Sequence, residues 1–111
     1  MSISCGRPSK PCTLAIADIV LLPAEVTPRA LREIYLRPFE LVLRAPNPPW
    51  AVMTCYNRVN GVHASEDPWL LDTVLRKEWS WRGMIVSDWF GTYSADLSVR
   101  AGLDLEMPVR R

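Results

Sequence analysis

Two short apolar runs, separated by a helical pattern, constrain the fold of this sequence more than any other feature. The first run is WAVMTC, residues 50–55, and the second is GMIV, residues 83–86. Both read as apolar throughout instead of alternating, which is typical of strands in a parallel sheet that is covered on both faces. They therefore predict two parallel strands, near 50–55 and 83–87.

Helical periodicity fills the segments around these strands. The pattern predicts helices near 28–44, 68–79 and 93–101, and a short last strand near 103–106. Pro38 lies inside the first helix and should kink it, and Gly102 is suited to end the third. Asn60-Gly61 indicates a turn between the first strand and the second helix. Residues 1–26 show no clear pattern, so an irregular segment is predicted there.

This order of elements belongs to the α/β class. Such units build either open doubly wound sheets or closed (β/α)8 barrels. A whole barrel takes ~250 residues, whereas this sequence has 111, and three strands close poorly on their own. The pattern therefore predicts a slice of a larger α/β domain.

Composition excludes several functional classes. The net charge of +1 gives no indication of a nucleic-acid partner or of an anionic membrane surface. No run approaches the ~20 apolar residues that span a bilayer. Basic residues precede an apolar run over 14–22, but Asp18 interrupts that run and no clear cleavage site follows, so a signal peptide is not convincing. The three cysteines disfavour a complete disulfide framework, and we expect no metal and no cofactor.

The residues that could take part in catalysis or binding follow the carboxyl ends of the two strands, because active sites lie at that edge in both α/β architectures. MTCYN ends the first strand and VSDW ends the second. If the strands are neighbours, Tyr56 and Asp88 can point into one pocket. A carboxylate walled by Tyr56 and Trp89 suits a cation-like transition state, such as that of glycoside hydrolysis. On the residues alone, Asp88 is equally well a loop residue that caps the next helix. For Tyr56 and Trp89, the residues alone favour a role in packing.

Other polar residues of this region have simpler explanations. His63, the only histidine, follows the predicted turn and is expected to be solvated and not catalytic. Glu66 and Asp67 are expected to belong to the start of the second helix, where negative charge meets the positive end of the helix dipole.

Three blocks of the sequence resemble consecutive blocks of glycoside hydrolase family 3, in particular of its fungal β-glucosidases. The blocks are ALREIYLRPFELVLR, AVMTCYNRVNGVHASEDPWLLDTVLRKEWSWRGMIVSDWFGTYS and AGLDLEMP. The resemblance is specific, because S-D-W follows a strand at the expected distance from Y-N-x-x-N-G and precedes A-G-x-D-x-x-M-P. It implies that residues 27–111 are the C-terminal part of the family's N-terminal domain: a partial (β/α)8 TIM-type barrel, with about its last three βα strands in parallel pairing.

The resemblance also implies roles for four residues. Asp88 would be the catalytic nucleophile, and Trp89 would line the subsite that holds the sugar. Tyr56 would contact both the nucleophile and the sugar, and Met53 would border the same pocket. The implied reaction is the hydrolysis of terminal β-D-glucosyl residues with retention of configuration, and the implied partner is a β-glucoside or oligosaccharide.

Other parts of the family's machinery are not found in this sequence. The upstream Lys-His pair and the early aspartate that bind the sugar have no counterpart, and the family's acid/base glutamate belongs to a second domain. We therefore expect the chain to need the missing barrel strands and that second domain, and to be inactive by itself. The alternative is an inert fragment or remnant with at most weak sugar binding. The family also implies secretion.

Overall fold

In the computed structural model of the chain, the described residues are 25–108, together with the backbone of residues 2–5 and 12–15. The elements are β1 (Ser2–Cys5), β2 (Cys12–Ala15), α1 (28–35), α2 (Arg37–Leu43), β3 (Ala51–Met53), β4 (Arg58–Val59), β5 (Val62–His63), α3 (Trp69–Glu78), β6 (Met84–Val86) and α4 (Ala95–Ala101). The apolar run over 14–22 lies, from residue 16 on, outside the described residues.

The first predicted helix is divided into two. The hydroxyl of Thr27 accepts a hydrogen bond from the amide of Ala30 at 3.3 Å, which caps the start of α1. The helix then stops at Leu36, whose N–H bonds back to the carbonyl of Leu31 at 2.8 Å. Pro38 lies in the first turn of α2, where its missing N–H leaves no helical hydrogen bond unmade. Pro38 was predicted to kink one continuous helix, whereas the structure has two helices that are divided at Leu36.

Strands β3 and β6 pair in parallel, as predicted, with Val52 opposite Ile85 and Met53 opposite Val86. The amide of Thr54 continues the ladder beyond the strand by donating to the carbonyl of Val86 at 2.9 Å. Val52 and Ile85 are fully buried, and the residues on either side of them are more exposed. One face of this strand pair is therefore covered, and the other is partly open in this chain.

The segment 1–26, predicted to be irregular, contains β1 and β2, so that prediction is wrong for residues 2–5 and 12–15. These two strands form an antiparallel pair, and β1 also pairs antiparallel with β3. The sheet order is β2-β1-β3-β6. The physical reason lies in β3, whose edge away from β6 carries unpaired N–H and C=O groups that a strand can satisfy.

The predicted last strand over 103–106 is also wrong: the described chain has a single parallel bridge between Val86 and Leu105 there. A side chain takes the place of a main-chain carbonyl at this edge of β6. The N–H of Ile85 donates to the carboxylate of Asp104 at 2.7 Å, and the carbonyl of Ile85 accepts from the amides of Asp104 and Leu105. The ladder therefore ends after one bridge.

The core lies between the helices and the covered face of the strand pair. It is formed by Leu31, Leu36, Phe39, Leu43, Val52, Ala64, Leu70, Leu71, Val74, Leu75, Trp79, Trp81, Ile85 and Ala101. Burial of these side chains is the main force that holds α1, α2 and α3 on the strands. Among the helices that the structure describes, none is long and apolar enough to cross a membrane.

Candidate active site

The candidate site forms where β3 and β6 end, because two parallel strands in register deliver the residues that follow them to one edge of the sheet. Tyr56 follows β3 and Asp88 follows β6. Burial of the ring and then hydrogen bonding to the Asp88 carboxylate raise the pKa of the Tyr56 phenol above its ordinary value. The structure thus brings together the two side chains that the sequence predicted to share a pocket.

Asp88 opens a tight turn. Its carboxylate accepts a hydrogen bond from the amide of Trp89 at 2.7 Å, and its carbonyl accepts one from the amide of Gly91 at 2.9 Å. Phe90, inside the turn, has a φ of 60°, which is uncommon for a bulky residue and is found where surrounding contacts force the backbone.

The segment around Met107 holds this turn from outside. The carbonyl of Met107 accepts from the amide of Phe90 at 2.8 Å, and its amide donates to the hydroxyl of Ser87 at 2.8 Å. On the other side, the hydroxyl of Ser65 donates to the carbonyl of Gly91 at 2.7 Å. The S-D-W and M-P motifs are therefore parts of one structural unit that fixes the backbone on both sides of Asp88.

The alternative prediction, that Asp88 caps the next helix, is wrong. Helix α4 begins at Ala95, and the amides of Tyr93 and Ser94 before it are bound by the carboxylate of Glu66, at 3.1 and 2.5 Å. The Asp88 carboxylate is left with the Trp89 amide and the Tyr56 phenol, so it is available for chemistry.

Trp89 and Met53 border the same edge of the sheet. Trp89 is 54% exposed beside Asp88, so the alternative of a core tryptophan is wrong. An exposed indole ring next to a carboxylate offers a flat apolar surface with one polar edge. Met53 is the last residue of β3, three residues before Tyr56, and is half-buried.

His63 is not the solvated loop residue that the sequence predicted. Its ring is half-buried and stacks on the ring of Tyr93, with centroids 3.6 Å apart and planes 19° from parallel. Asn60 and Gly61 both have positive φ and join β4 to β5 by a two-residue turn, as predicted. This turn sets Arg58 opposite His63 in the antiparallel pair.

The two acidic residues before α3 serve different helices. The carboxylate of Asp67 accepts from the amides of Trp69 and Leu70, at 2.9 and 3.3 Å, so its predicted place at the start of α3 is confirmed. Glu66 instead binds the start of α4, so the prediction that it belongs to the start of α3 is wrong. Helix starts offer unpaired N–H groups to any carboxylate that the fold brings near, and Glu66 reaches those of α4.

The sequence analysis missed one further interaction beneath the site. Asp104, from the motif AGLDLEMP, binds the guanidinium of Arg76 at 2.7 Å as well as the amide of Ile85. The aspartate of this motif was visible in the sequence as a possible signal. Nothing in the sequence identified Arg76 on α3 as its partner. In the part of the chain that the structure describes, no cluster of His, Cys, Asp or Glu side chains could hold a metal ion.

The sequence pattern named Glycosyl hydrolase family 3 N terminal domain matches residues 20–111. The chain belongs to glycosyl hydrolase family 3. Among members of family 3, the Probable beta-glucosidase J of Emericella nidulans is 61% identical over 89 residues, which is 80% of this chain and 10% of that protein. The family match confirms the resemblance on which the site residues were assigned.

Solved structures of family 3 members have the same fold in this region. A Bifidobacterium adolescentis GH3 beta-glucosidase superposes with a TM-score of 0.77 at 45% identity, over 79% of this chain and 13% of that one. A beta-glucosidase from Kluyveromyces marxianus in complex with glucose gives a TM-score of 0.74 at 50% identity, over 78% of this chain and 10% of that one. The chain therefore spans about a tenth of the length of these relatives.

Proposed function

We propose that this chain supplies the nucleophile and part of the sugar-binding site of a retaining β-glucosidase, which hydrolyses terminal β-D-glucosyl residues. The observation that carries the proposal is the parallel, in-register pairing of β3 and β6, so that Tyr56 and Asp88 follow neighbouring strands at one edge and the Asp88 carboxylate helps to raise the pKa of the Tyr56 phenol. The family membership of the chain and the names of its relatives support the reaction class.

In the proposed reaction, a carboxylate oxygen of Asp88 attacks the anomeric carbon, and the bond from that carbon to the leaving oxygen breaks. A glutamate from another part of the whole enzyme protonates the leaving oxygen. The same glutamate then takes a proton from water, which attacks the glycosyl ester and releases glucose and the Asp88 carboxylate. Two inversions give net retention.

The proposed roles of the neighbouring residues follow from their chemistry. The phenol of Tyr56 is protonated at neutral pH, because its ordinary pKa of 10.0 is raised further in this fold, so it can donate a hydrogen bond to Asp88 and orient it. The indole ring of Trp89 would pack against the face of the sugar ring, and Met53 would border the pocket from the end of β3. The chain by itself would show essentially no turnover, since nucleophile and acid/base act in successive halves of one cycle; an inert chain with weak sugar binding is the alternative.

We also propose that β3 and β6 are adjacent strands of a (β/α)8 barrel. Support comes from the parallel pairing and from the partly open face of the strand pair, where Met84 is 43% exposed. Barrel strands are covered by helices outside and by packed side chains inside. Secretion of the whole protein, which the family resemblance implies, stays a prediction.

A graft tests the nucleophile. Residues 27–108 replace the segment that they match in the Kluyveromyces marxianus beta-glucosidase, and the graft is assayed with an aryl β-glucoside. We expect Asp88→Ala to abolish turnover and Asp72→Ala, which removes an exposed carboxylate of α3, to leave it unchanged. Activity that survives Asp88→Ala would refute the assignment.

Added azide identifies the role of the lost carboxylate. In the Asp88→Ala graft, azide can attack the anomeric carbon from the face that Asp88 has vacated, and the aryl alcohol leaves with a proton. The expected product is the α-glucosyl azide. A β-glucosyl azide would mean that Asp88 serves as the acid/base and not as the nucleophile.

A further inference from the structure

The main-chain carbonyl of Tyr56 is a point where three parts of the chain meet. It accepts a hydrogen bond from the hydroxyl of Tyr93 at 3.0 Å. It also lies 3.1 Å from Nδ1 of His63. Two side chains from separate segments thus hold the backbone of Tyr56, whose phenol orients Asp88 in the proposed function.

The partner of the second ring nitrogen fixes the tautomer of His63. Nε of Arg58 donates to Nε2 of His63 at 3.1 Å, so Nε2 is the acceptor and Nδ1 carries the proton. Nδ1–H therefore donates to the Tyr56 carbonyl. The register of the β4–β5 turn sets Arg58 opposite His63, so the hairpin itself determines which nitrogen faces Tyr56.

Tyr93 is fixed in turn by its own surroundings. Its ring stacks on His63 at 3.6 Å, and its amide donates to the carboxylate of Glu66 at 3.1 Å. A stacked aromatic pair with both polar ends engaged has little freedom to rotate. The pair is thus a rigid support that spans from the hairpin to the start of α4.

We propose that His63 and Tyr93 are positioning residues that act through Tyr56; this inference rests on the proposed function. They hold the Tyr56 carbonyl, and the held backbone places the phenol against the Asp88 carboxylate. Neither side chain needs to touch the sugar. Small misplacements of a reacting group are costly, because reaction requires a near-attack geometry, so loss of this support should lower the rate of turnover more than sugar binding.

Two conservative variants test the proposal in the graft described above. His63→Phe keeps a ring against Tyr93 and removes the Nδ1 donor, and Tyr93→Phe keeps the stack and removes the hydroxyl donor. A neutral hydrogen bond contributes about 1 kcal/mol, which corresponds to about a fivefold change in rate. We expect each variant to lose about fivefold in kcat with KM nearly unchanged. Tyr35→Phe, which removes a phenolic hydroxyl from α1, is the matched control and should lose nothing.

A double-mutant cycle separates positioning from general support of the fold. If His63 and Tyr93 act through the phenol, their substitutions should have little further effect in a Tyr56→Phe background. Additive losses would overturn the proposal, and so would unchanged kcat in both single variants. Inactivity of Asp88→Ala together with unchanged kcat in the two variants overturns only this inference, whereas activity of Asp88→Ala overturns the proposed function.

Discussion

Arg76 is the residue whose replacement should most clearly expose how α3 is tied to the strand beneath the site. Its guanidinium donates to the carbonyl of Gly83 at 2.6 Å, to the carbonyl of Trp81 at 3.2 Å and to Asp104 at 2.7 Å. It also lies 5.3 Å from the centroid of the Trp81 ring. The side chain is 25% exposed, so solvent only partly screens these contacts.

The expected loss follows from these contacts. Hydrogen bonds that involve a charged group contribute about 1.5–3 kcal/mol each, and partial exposure and the freedom of the carbonyls to bind water reduce the sum. We expect Arg76→Ala to lower the free energy of unfolding by about 2–4 kcal/mol. Arg76→Lys keeps the charge but cannot fork between three acceptors, so it should lose about half as much.

Arg29 provides the matched control. It forms an ion pair with Glu33 one helical turn away, and its side chain is 84% exposed. Such pairs contribute about 0.3–0.5 kcal/mol, so Arg29→Ala should scarcely change stability. Both variants remove the same side chain and the same charge, and they differ in what the guanidinium contacts.

Urea unfolding followed by tryptophan fluorescence measures the difference, because Trp81 lies under the Arg76 guanidinium. The 111-residue chain is studied at high dilution to limit association. A loss for Arg76→Ala that does not exceed the loss for Arg29→Ala would refute the reasoning. Unchanged stability in Arg76→Lys would also refute it, because the positive charge alone would then account for the stabilisation.

Three further predictions concern packing, pH and association. A Cβ at Gly83 would lie 2.1 Å from Cζ2 of Trp81 and 2.6 Å from the carbonyl of Trp50, so Gly83→Ala should cost at least about 1–3 kcal/mol in the urea assay; an unchanged midpoint would contradict this. The raised pKa of Tyr56 contributes stability that is complete below the ordinary value of 10.0 and is lost as pH rises through the folded value; an absorbance titration should show Asp88→Asn moving this ionisation down. Strand β2 forms one edge of the described sheet and Trp50 is 84% exposed, so light scattering should show aggregation or concentration-dependent association, and not a monodisperse monomer.

The features that could be predicted from the amino-acid sequence were mostly local. The apolar runs predicted β3 and β6 and their parallel pairing, and Asn60-Gly61 predicted the β4–β5 turn. The carboxylate of Asp67 predicted the start of α3, and Gly102, with a φ of 103°, ends α4 as expected. Each signal depends on the backbone preference or the hydrogen bonds of a few neighbouring residues, so no knowledge of distant partners is needed to interpret it.

Contacts between side chains that are distant in the sequence depend on the packing of the whole fold. Glu66 binds the start of α4 although it lies beside α3, and His63 stacks on Tyr93 across a helix and a strand. Asp104 replaces a main-chain carbonyl beside β6, which turned a predicted strand into a single bridge. A carboxylate or a ring has many possible partners of equal local merit, and the packing of the core selects one of them by bringing its backbone within reach.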